Sequence, residues 1–450
     1  MLPAELRTQT FTRSPHGRVD AEPDARRSSK LKRTDGCGVD VWGVKVLRVL
    51  VFRIVSILVL LGLSTVDVVA HAEPETRRPV LVTLPEPSGT ESIGVVDLHL
   101  VDTARRDPYE PAVPRELMVS IWYPAADVAG AAARSWMSPA LVDIYAHSLA
   151  RIAPGTAGRL RLEPSHGHIG APAATSRGAR PIIVFSPGMG MPRELSTAHV
   201  EDLASHGFVV VTMSHTYEAS ATEFPGGRVE RSVLPQAPGP GEVEAQGTLA
   251  MTTRVADTRF VLDRLADIAA GRNPDARRQP LPANLAEALD LSKIGMFGHS
   301  LGGATAAQAM HDDRRIAAAA NLDGRLWGSV VTEGLDRPFL LISRERSGRA
   351  EVPSWQQFWA TAPGPRLNFM LDNAQHMSFC DTALIAAPLV TAGLIPSAAA
   401  SQAVGTIDPH RSLAVQRDYL RSFFDTTLGR HHDLARLPSS LLHPEMVLIP

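Results

Sequence analysis

The run Phe297-Gly298-His299-Ser300-Leu301-Gly302-Gly303 sets one serine between glycines. Lys293-Ile294-Gly295-Met296-Phe297 before it reads as a short buried strand. Gly302 to Met310 after it is rich in small residues and reads as a helix. A G-x-S-x-G pattern at a strand-to-helix turn is a nucleophile elbow: the turn exposes the serine oxygen, and glycines leave room for its strained backbone. The chemistry such a residue could do is acyl transfer through Ser300. A hydroxyl is a weak nucleophile until a base takes its proton, so a histidine is required, together with a group that orients the ring.

In an arrangement of this kind the histidine comes late, on the loop after the last strand. His376 fits, because it follows Leu371-Asp372-Asn373-Ala374-Gln375 directly after an apolar run at 367–371. His410, His431, His432 and His443 are later, on a predicted helix or in the tail. The orienting acid has more than one candidate. Asp323 ends the run Ala317 to Leu322 and precedes Gly324, Glu345 follows the run at 338–343, and Asp372 is a third choice that suits a turn better. Spacing leaves Asp323 and Glu345 open. Two backbone N–H donors must meet the developing oxyanion. Leu301, next to the serine, should supply one. The loop Ser186-Pro187-Gly188-Met189-Gly190 should supply the other, through Met189.

Alternating strands and helices must hold these residues. Ile93 to Val101 and Glu116 to Tyr123 read as an antiparallel pair, followed by a helix at 139–152. Residues 153–179 read as a Gly/Pro/Ala-rich surface loop, in which His166 and His168 are expected to be solvated. Pro181 to Phe185 and Phe208 to Val211 are continuous apolar runs, as strands covered on both faces require. They flank a helix near 194–206. Residues 224–248 read as an irregular excursion. From Met251, the positions Val255, Thr258, Leu262, Leu265 and Ala269 lay an apolar stripe along a helix, with Arg254, Asp257 and Arg264 off it. Runs at 294–297, 316–322, 338–343 and 367–371 give further strands, and a helix at 410–428 closes the domain. The apolar segment 383–396 is expected to pack inside, with a lipid-facing mouth as the alternative. The pattern predicts an α/β class: a mostly parallel sheet with helices on both faces, in one domain over 73–450.

The chain has 450 residues and a formal charge of −2, so nothing points to a nucleic-acid surface. Two cysteines, Cys37 and Cys380, cannot form a zinc or iron–sulfur spacing, and no H-E-x-x-H motif occurs. No metal or organic cofactor is expected. Residues 1–43 are polar and charged and are expected to be a disordered extension or an over-long gene model. Lys45, Arg48 and Arg53, then Ile54 to Leu63, then Ala70-His71-Ala72 have the order of a secretory signal peptide over 44–72 with cleavage after Ala72. The uncharged stretch is short for a bilayer span. Export is therefore expected, leaving Cys380 without a partner.

Taken together, several runs resemble the platelet-activating factor acetylhydrolase family. They are Val119-Ser120-Ile121-Trp122-Tyr123-Pro124, Phe185-Ser186-Pro187-Gly188-Met189-Gly190, Asp202-Leu203-Ala204-Ser205-His206-Gly207-Phe208, Gly298 to Thr305, Asn321-Leu322-Asp323-Gly324, and His376-Met377-Ser378-Phe379-Cys380-Asp381. The resemblance spans about 93–428. It implies an α/β-hydrolase fold, a Ser300–His376–Asp323 set with Asp323 as the acid, and N–H donors at Met189 and Leu301. It implies hydrolysis of a small-molecule or lipid ester, with transient contact to a lipid surface as a further expectation. The chain departs from the family at Pro187, where histidine is common, and at Leu301, where a bulkier residue often follows the serine. These departures bear on which ester is cut; general carboxylesterases, lipases and polyester-cleaving enzymes are the other readings, and an acyltransferase a more distant one.

Overall fold

Apolar runs with no polar interruption need a sheet covered on both faces, and the computed structural model of the chain contains one. It describes residues 78–151, 153–235, 239–429 and 442–450, all of which fall in one compact unit. The expected extension and the signal-like segment over 44–72 lie outside the described residues. In chain order the described strands are β1 (Val80–Val82), β2 (Ile93–Arg106), β3 (Pro114–Pro124), β4 (Ala133–Ser135), β5 (Leu160–Leu162), β6 (Pro164–Ile169), β7 (Arg180–Ser186), β8 (Val209–His215), β9 (Ala221–Phe224), β10 (Arg228–Arg231), β11 (Leu289–His299), β12 (Ile316–Leu322), β13 (Phe339–Arg344), β14 (Arg366–Leu371) and β15 (Met446–Leu448). The helices are α1 (Pro139–Ala150), α2 (Thr197–Ser205), α3 (Pro240–Ala269), α4 (Leu301–Asp312), α5 (Val330–Glu333), α6 (Pro353–Thr361), α7 (Thr382–Thr391), α8 (Ser397–Val404) and α9 (Pro409–Leu428).

One sheet has the order β15-β14-β13-β12-β11-β7-β8-β3-β2-β6-β4. Its centre, from β8 through β7, β11, β12 and β13 to β14, is parallel throughout. The β2–β3 meander joins β8 antiparallel. Side chains alternate across each central strand. In β7, Ile182 and Val184 face a core shared with Leu262 and Leu265 of α3 and Ala306 of α4. Ile183 and Phe185 face the opposite core, shared with Val200 and Leu203 of α2 and Phe423 and Phe424 of α9.

Some expectations change and one holds. The stretch 153–179 is not a surface loop: β6 adds to the sheet beside β2, and Ala153, Ala171 and Ala173 are buried. His166 is not solvated, since its Nδ1 lies 2.8 Å from the buried Glu201 carboxylate; His168 sits on β6, with its Nδ1 3.3 Å from the Ile93 carbonyl. Within 224–248, the β9–β10 hairpin and the first turns of α3 replace the irregular excursion, so α3 begins at Pro240, well before the apolar stripe. At 383–396 the expected inside packing is found: Leu384, Ile385 and Leu389 pack into a core with Trp136 and Leu141, which excludes Leu389 from the alternative lipid-facing mouth. β15 was not foreseen.

The polar side of α3 carries buried charge. Arg254 and Asp257 lie off the apolar stripe of α3, yet both are buried. Asp257 accepts from Arg115 at 2.6 Å and Arg105 at 3.1 Å, and Arg115 also reaches Asp107 at 2.7 Å. Burial opposes ionisation of Asp257, but Arg115 and His215 outweigh it and hold this carboxyl far below the usual range. Stranding such a charge is costly, so these groups act as a set.

Asp381 behaves in the opposite way. Its Oδ2 accepts from the Ala198 N–H at 3.3 Å, at the start of α2. Burial pushes its carboxyl up to about 7, against the pull of the Ala198 N–H and Arg417. The folded state keeps a proton that the unfolded chain, at an ordinary 3.8, releases. This contribution to stability is full below about pH 4 and is lost as pH rises through 7. Asp381→Asn should therefore raise the thermal midpoint at pH 8, and flatten its decline between pH 4 and 7. A midpoint unchanged at pH 8 would show that Asp381 is ionised at no cost.

Candidate active site

The site lies where the parallel strands β11, β12 and β13 end, the edge at which open α/β sheets place ligands. β11 runs into Ser300, which sits at φ 56° and ψ −125°, a conformation few side-chain-bearing residues adopt. The Ser300 N–H is held by the Leu322 carbonyl of β12 at 2.8 Å. The turn is possible because its glycines offer no Cβ. A Cβ at Gly302 would stand 1.9 Å from the Ser186 carbonyl oxygen, and one at Gly303 would stand 2.1 Å from Asn321 Oδ1. Leu301 opens α4, so its N–H has no acceptor within that helix and faces the end where partial positive charge gathers.

Asp323 follows β12 directly and has φ 55°. One oxygen accepts from the Arg344 N–H at the end of β13, at 3.1 Å. The other lies 2.6 Å from His376 Nδ1. His376 Nε2 is 2.9 Å from Ser300 Oγ. A proton on Nδ1, donated to the carboxylate, leaves Nε2 free to accept the serine O–H. Asp323 is 6% exposed, whereas the His376 side chain is 37% exposed, so the acid is shielded and the imidazole and hydroxyl face outward. Glu345 stands elsewhere, with its carboxylate beside Arg346 at 3.4 Å. Asp372 contributes its backbone N–H to the Glu445 carbonyl near the sheet edge. Of the later histidines, His410 is exposed on α9 and buried His443 pairs with Asp418 at 3.0 Å; His431 and His432 lie outside the described residues.

Met189 follows β7 in the loop facing the elbow and is 36% exposed. That loop approaches the elbow closely: a Cβ at Gly188 would be 3.0 Å from His299 Nδ1.

Two contributors were not anticipated. His299, the variable residue of the elbow, donates from Nε2 to the His376 carbonyl at 2.9 Å, with ring centroids 4.7 Å apart. Burial, and then the neighbouring His376, hold His299 well below the ordinary imidazole range, so it stays neutral and keeps this donor role. The second is Arg344, whose N–H fixes the carboxylate of Asp323. The spacing of His299 next to Ser300 was visible in the sequence, but its acceptor is 77 residues away.

The comparisons with known proteins follow the same line. The family model described as platelet-activating factor acetylhydrolase, isoform II, matches residues 114–441. The protein named "Probable 1-alkyl-2-acetylglycerophosphocholine esterase" from Arthroderma benhamiae is 28% identical over 397 residues, covering 82% of this chain and 95% of that one. The platelet-activating factor acetylhydrolase of Canis lupus familiaris is 32% identical over 182 residues, covering 37% of this chain and 40% of that one. Among solved structures, the ferulic acid esterase from Streptomyces cinnamoneus is 36% identical with a TM-score of 0.64, covering 82% of this chain and 99% of that one. The architecture is the α/β-hydrolase fold, and the activity class is carboxylic ester hydrolysis.

The glycine packing gives a test. Gly302→Ala drives a methyl group into the backbone oxygens of Ser186 and Pro187, neither of which can rotate away. It should destabilise the protein by about 1–3 kcal/mol or more and remove most ester hydrolysis. Gly241→Ala, near the start of α3 with open space around its Cβ, should be neutral or slightly stabilising in the same denaturant titration. Equal behaviour of the two variants would mean that the close approach does not shape the elbow.

Proposed function

The chain belongs to the platelet-activating factor acetylhydrolase family, and from that premise we propose that it is an exported serine esterase in which Ser300, His376 and Asp323 form the catalytic triad. The observation that carries the reading is the bridge made by His376, 2.9 Å from Ser300 Oγ on one side and 2.6 Å from Asp323 on the other. Ser300 Oγ attacks the ester carbonyl while its proton passes to His376 Nε2. The carbonyl oxygen becomes an oxyanion that the Met189 and Leu301 N–H groups stabilise. The C–O bond to the alcohol then breaks, and that alcohol leaves with the proton from His376. A water molecule gives a proton to the same nitrogen as it attacks the acyl-enzyme carbonyl; the bond to Ser300 Oγ then breaks, the serine oxygen takes that proton back from His376, and the carboxylic acid leaves. Asp323 keeps the ring in the required tautomer and offsets the imidazolium charge.

The substrate we propose is a short-acyl phospholipid ester, on the strength of the relatives' named activities. A broader carboxylesterase is the second reading, favoured by the likeness to a ferulic acid esterase. Contact with a lipid surface would fall to side chains such as exposed Met189 rather than to buried Leu389. Export rests on the basic, apolar and A-x-A order of residues 45–72; a secreted product whose intact mass does not begin near Glu73 would remove that part.

Ser300→Ala should lower turnover by roughly 10⁵–10⁶-fold with the fold intact, and should abolish labelling by a fluorophosphonate probe. A variant that keeps half its turnover would overturn the nucleophile assignment. Comparing a short-acyl phospholipid with p-nitrophenyl, triglyceride and feruloyl esters sorts the two substrate readings. The proposal requires the phospholipid to have the highest kcat/KM.

A further inference from the structure

Behind the proposed oxyanion loop lies a second chain of hydrogen-bonded polar groups. Arg254, on α3, is buried beneath residues 186–190. Its Nε donates to Glu218 Oε2 at 2.8 Å, and its Nη2 donates to the other Glu218 oxygen. The same guanidinium reaches the loop three times. Nη1 donates to the Pro187 carbonyl at 2.6 Å and to Ser186 Oγ at 3.1 Å, and Nη2 donates to the Gly188 carbonyl at 3.1 Å. Ser186 Oγ then passes its own proton toward His215 Nε2 at 3.0 Å. His215 is held neutral by burial and by Arg254, and its Nδ1–H donates to Asp257 at 2.9 Å. Ser186, His215 and Asp257 thus have the residue types of a triad, but all three are buried and no ester can reach them. Their arrangement holds the end of β7.

A trans peptide points its C=O and the following N–H in opposite directions. With the Pro187 and Gly188 carbonyls both drawn to Arg254, the Gly188 and Met189 N–H groups face away from it, on the other side of the loop. The loop is also pressed against the elbow, because the Ser186 and Pro187 oxygens stand 1.9 and 2.6 Å from where a Gly302 Cβ would be. We propose that Arg254 is a positioning residue for ester hydrolysis: by tethering two successive carbonyls it aims the Met189 N–H at the oxygen that becomes negative. This inference rests on the assignment of Ser300 and of the Met189 donor above. Arginine suits the task because its rigid fork serves Glu218 and two carbonyls at once. A lysine offers a single nitrogen in place of the fork, so the Pro187 carbonyl or the Gly188 carbonyl, the latter also held by the Met191 N–H at 3.1 Å, loses a tether.

The test compares an oxygen ester with its thiono analogue, whose sulfur accepts hydrogen bonds poorly and so gains little from an oxyanion donor. Arg254→Lys keeps the positive charge beside Glu218. The double variant Arg254→Met with Glu218→Met removes both charges together, so neither is stranded in the interior. Both should lower kcat for the oxygen ester by on the order of 10²-fold, the loss typical of one oxyanion donor, with KM within about twofold. The thiono ester should slow far less, so that the oxygen-to-thiono ratio of kcat/KM collapses. Thermal midpoints establish that the variants are folded. A folded variant that keeps wild-type kcat, or that loses both rates by the same factor, overturns the proposal. The triad reading fails separately, and visibly, if Ser300→Ala stays active in the same assay.

Discussion

The structure turns on how closely backbone can approach backbone around Ser300. Gly298, Gly302, Gly303 and Gly324 each sit where a Cβ would strike a neighbouring oxygen: the Ser186 or Gly302 carbonyl, Asn321 Oδ1, or the Ser300 carbonyl. These contacts draw the ends of β7, β11 and β12 together. Ser300 accepts a strained conformation because the surrounding ladder fixes its N–H to Leu322. Asn321 adds a second tie, accepting from the Gly324 N–H and donating to the Gly324 carbonyl, both at 2.7 Å. Strain of this kind survives only where the surroundings over-determine it. Here the supports are short hydrogen bonds across adjacent parallel strands.

Both faces of the sheet bury polar groups as well as apolar ones, with Glu201, Asp202 and Arg417 buried on the α2 and α9 side. On the α2 and α9 side the core beneath the strands is dominated by aromatic and aliphatic packing, with Phe185, Phe297 and Phe424 in successive edge or tilted contact. On the α3 side, the buried arginines and carboxylates stand near the strand ends that carry the site. Arg115 is shared between Asp107 and Asp257, and Arg254 is shared between Glu218 and the loop carbonyls. Replacing buried ion pairs with well-packed apolar groups is often neutral or stabilising, so stability alone does not account for these. Directionality does: an apolar side chain can fill the same volume but cannot dictate which way a carbonyl points.

Legibility in the sequence followed the same division. Pro181 to Phe185, Ile294 to Phe297 and Ile316 to Leu322 read as strands because both faces are apolar. The elbow was readable because its glycines are local to Ser300. Where a feature depends on buried polar partners far along the chain, periodicity said less. The stripe of α3 placed Arg254 and Asp257 off its apolar side, but periodicity records polarity and not the Glu218, Arg115 and His215 that lie against them. The glycines and prolines of 153–179 suggest a loop, although β6 needs only a short pairing with β2 to join the sheet. The first turns of α3 carry Gly241 and Gly247 and little apolar periodicity. Gly247 has a specific reason, since the Trp327 ring occupies the space its side chain would fill.

The position of the acid illustrates what spacing can and cannot decide. Asp323 and Glu345 each follow a strand, β12 and β13, and those strands are neighbours in the sheet. Carboxylates from either end could approach a histidine delivered by the next loop, so counting residues leaves both open. The backbone separates them. Asp323 adopts φ 55°, which turns its side chain back across the strand ends, where the Arg344 N–H holds one oxygen and leaves the other for His376. Glu345 instead commits its N–H to the Ala374 carbonyl at 3.3 Å, in the segment that carries His376. The end of β13 therefore acts as a brace for both the carboxylate and the histidine loop. The Glu345 carboxylate lies beside Arg346 at 3.4 Å and so leaves the histidine to Asp323.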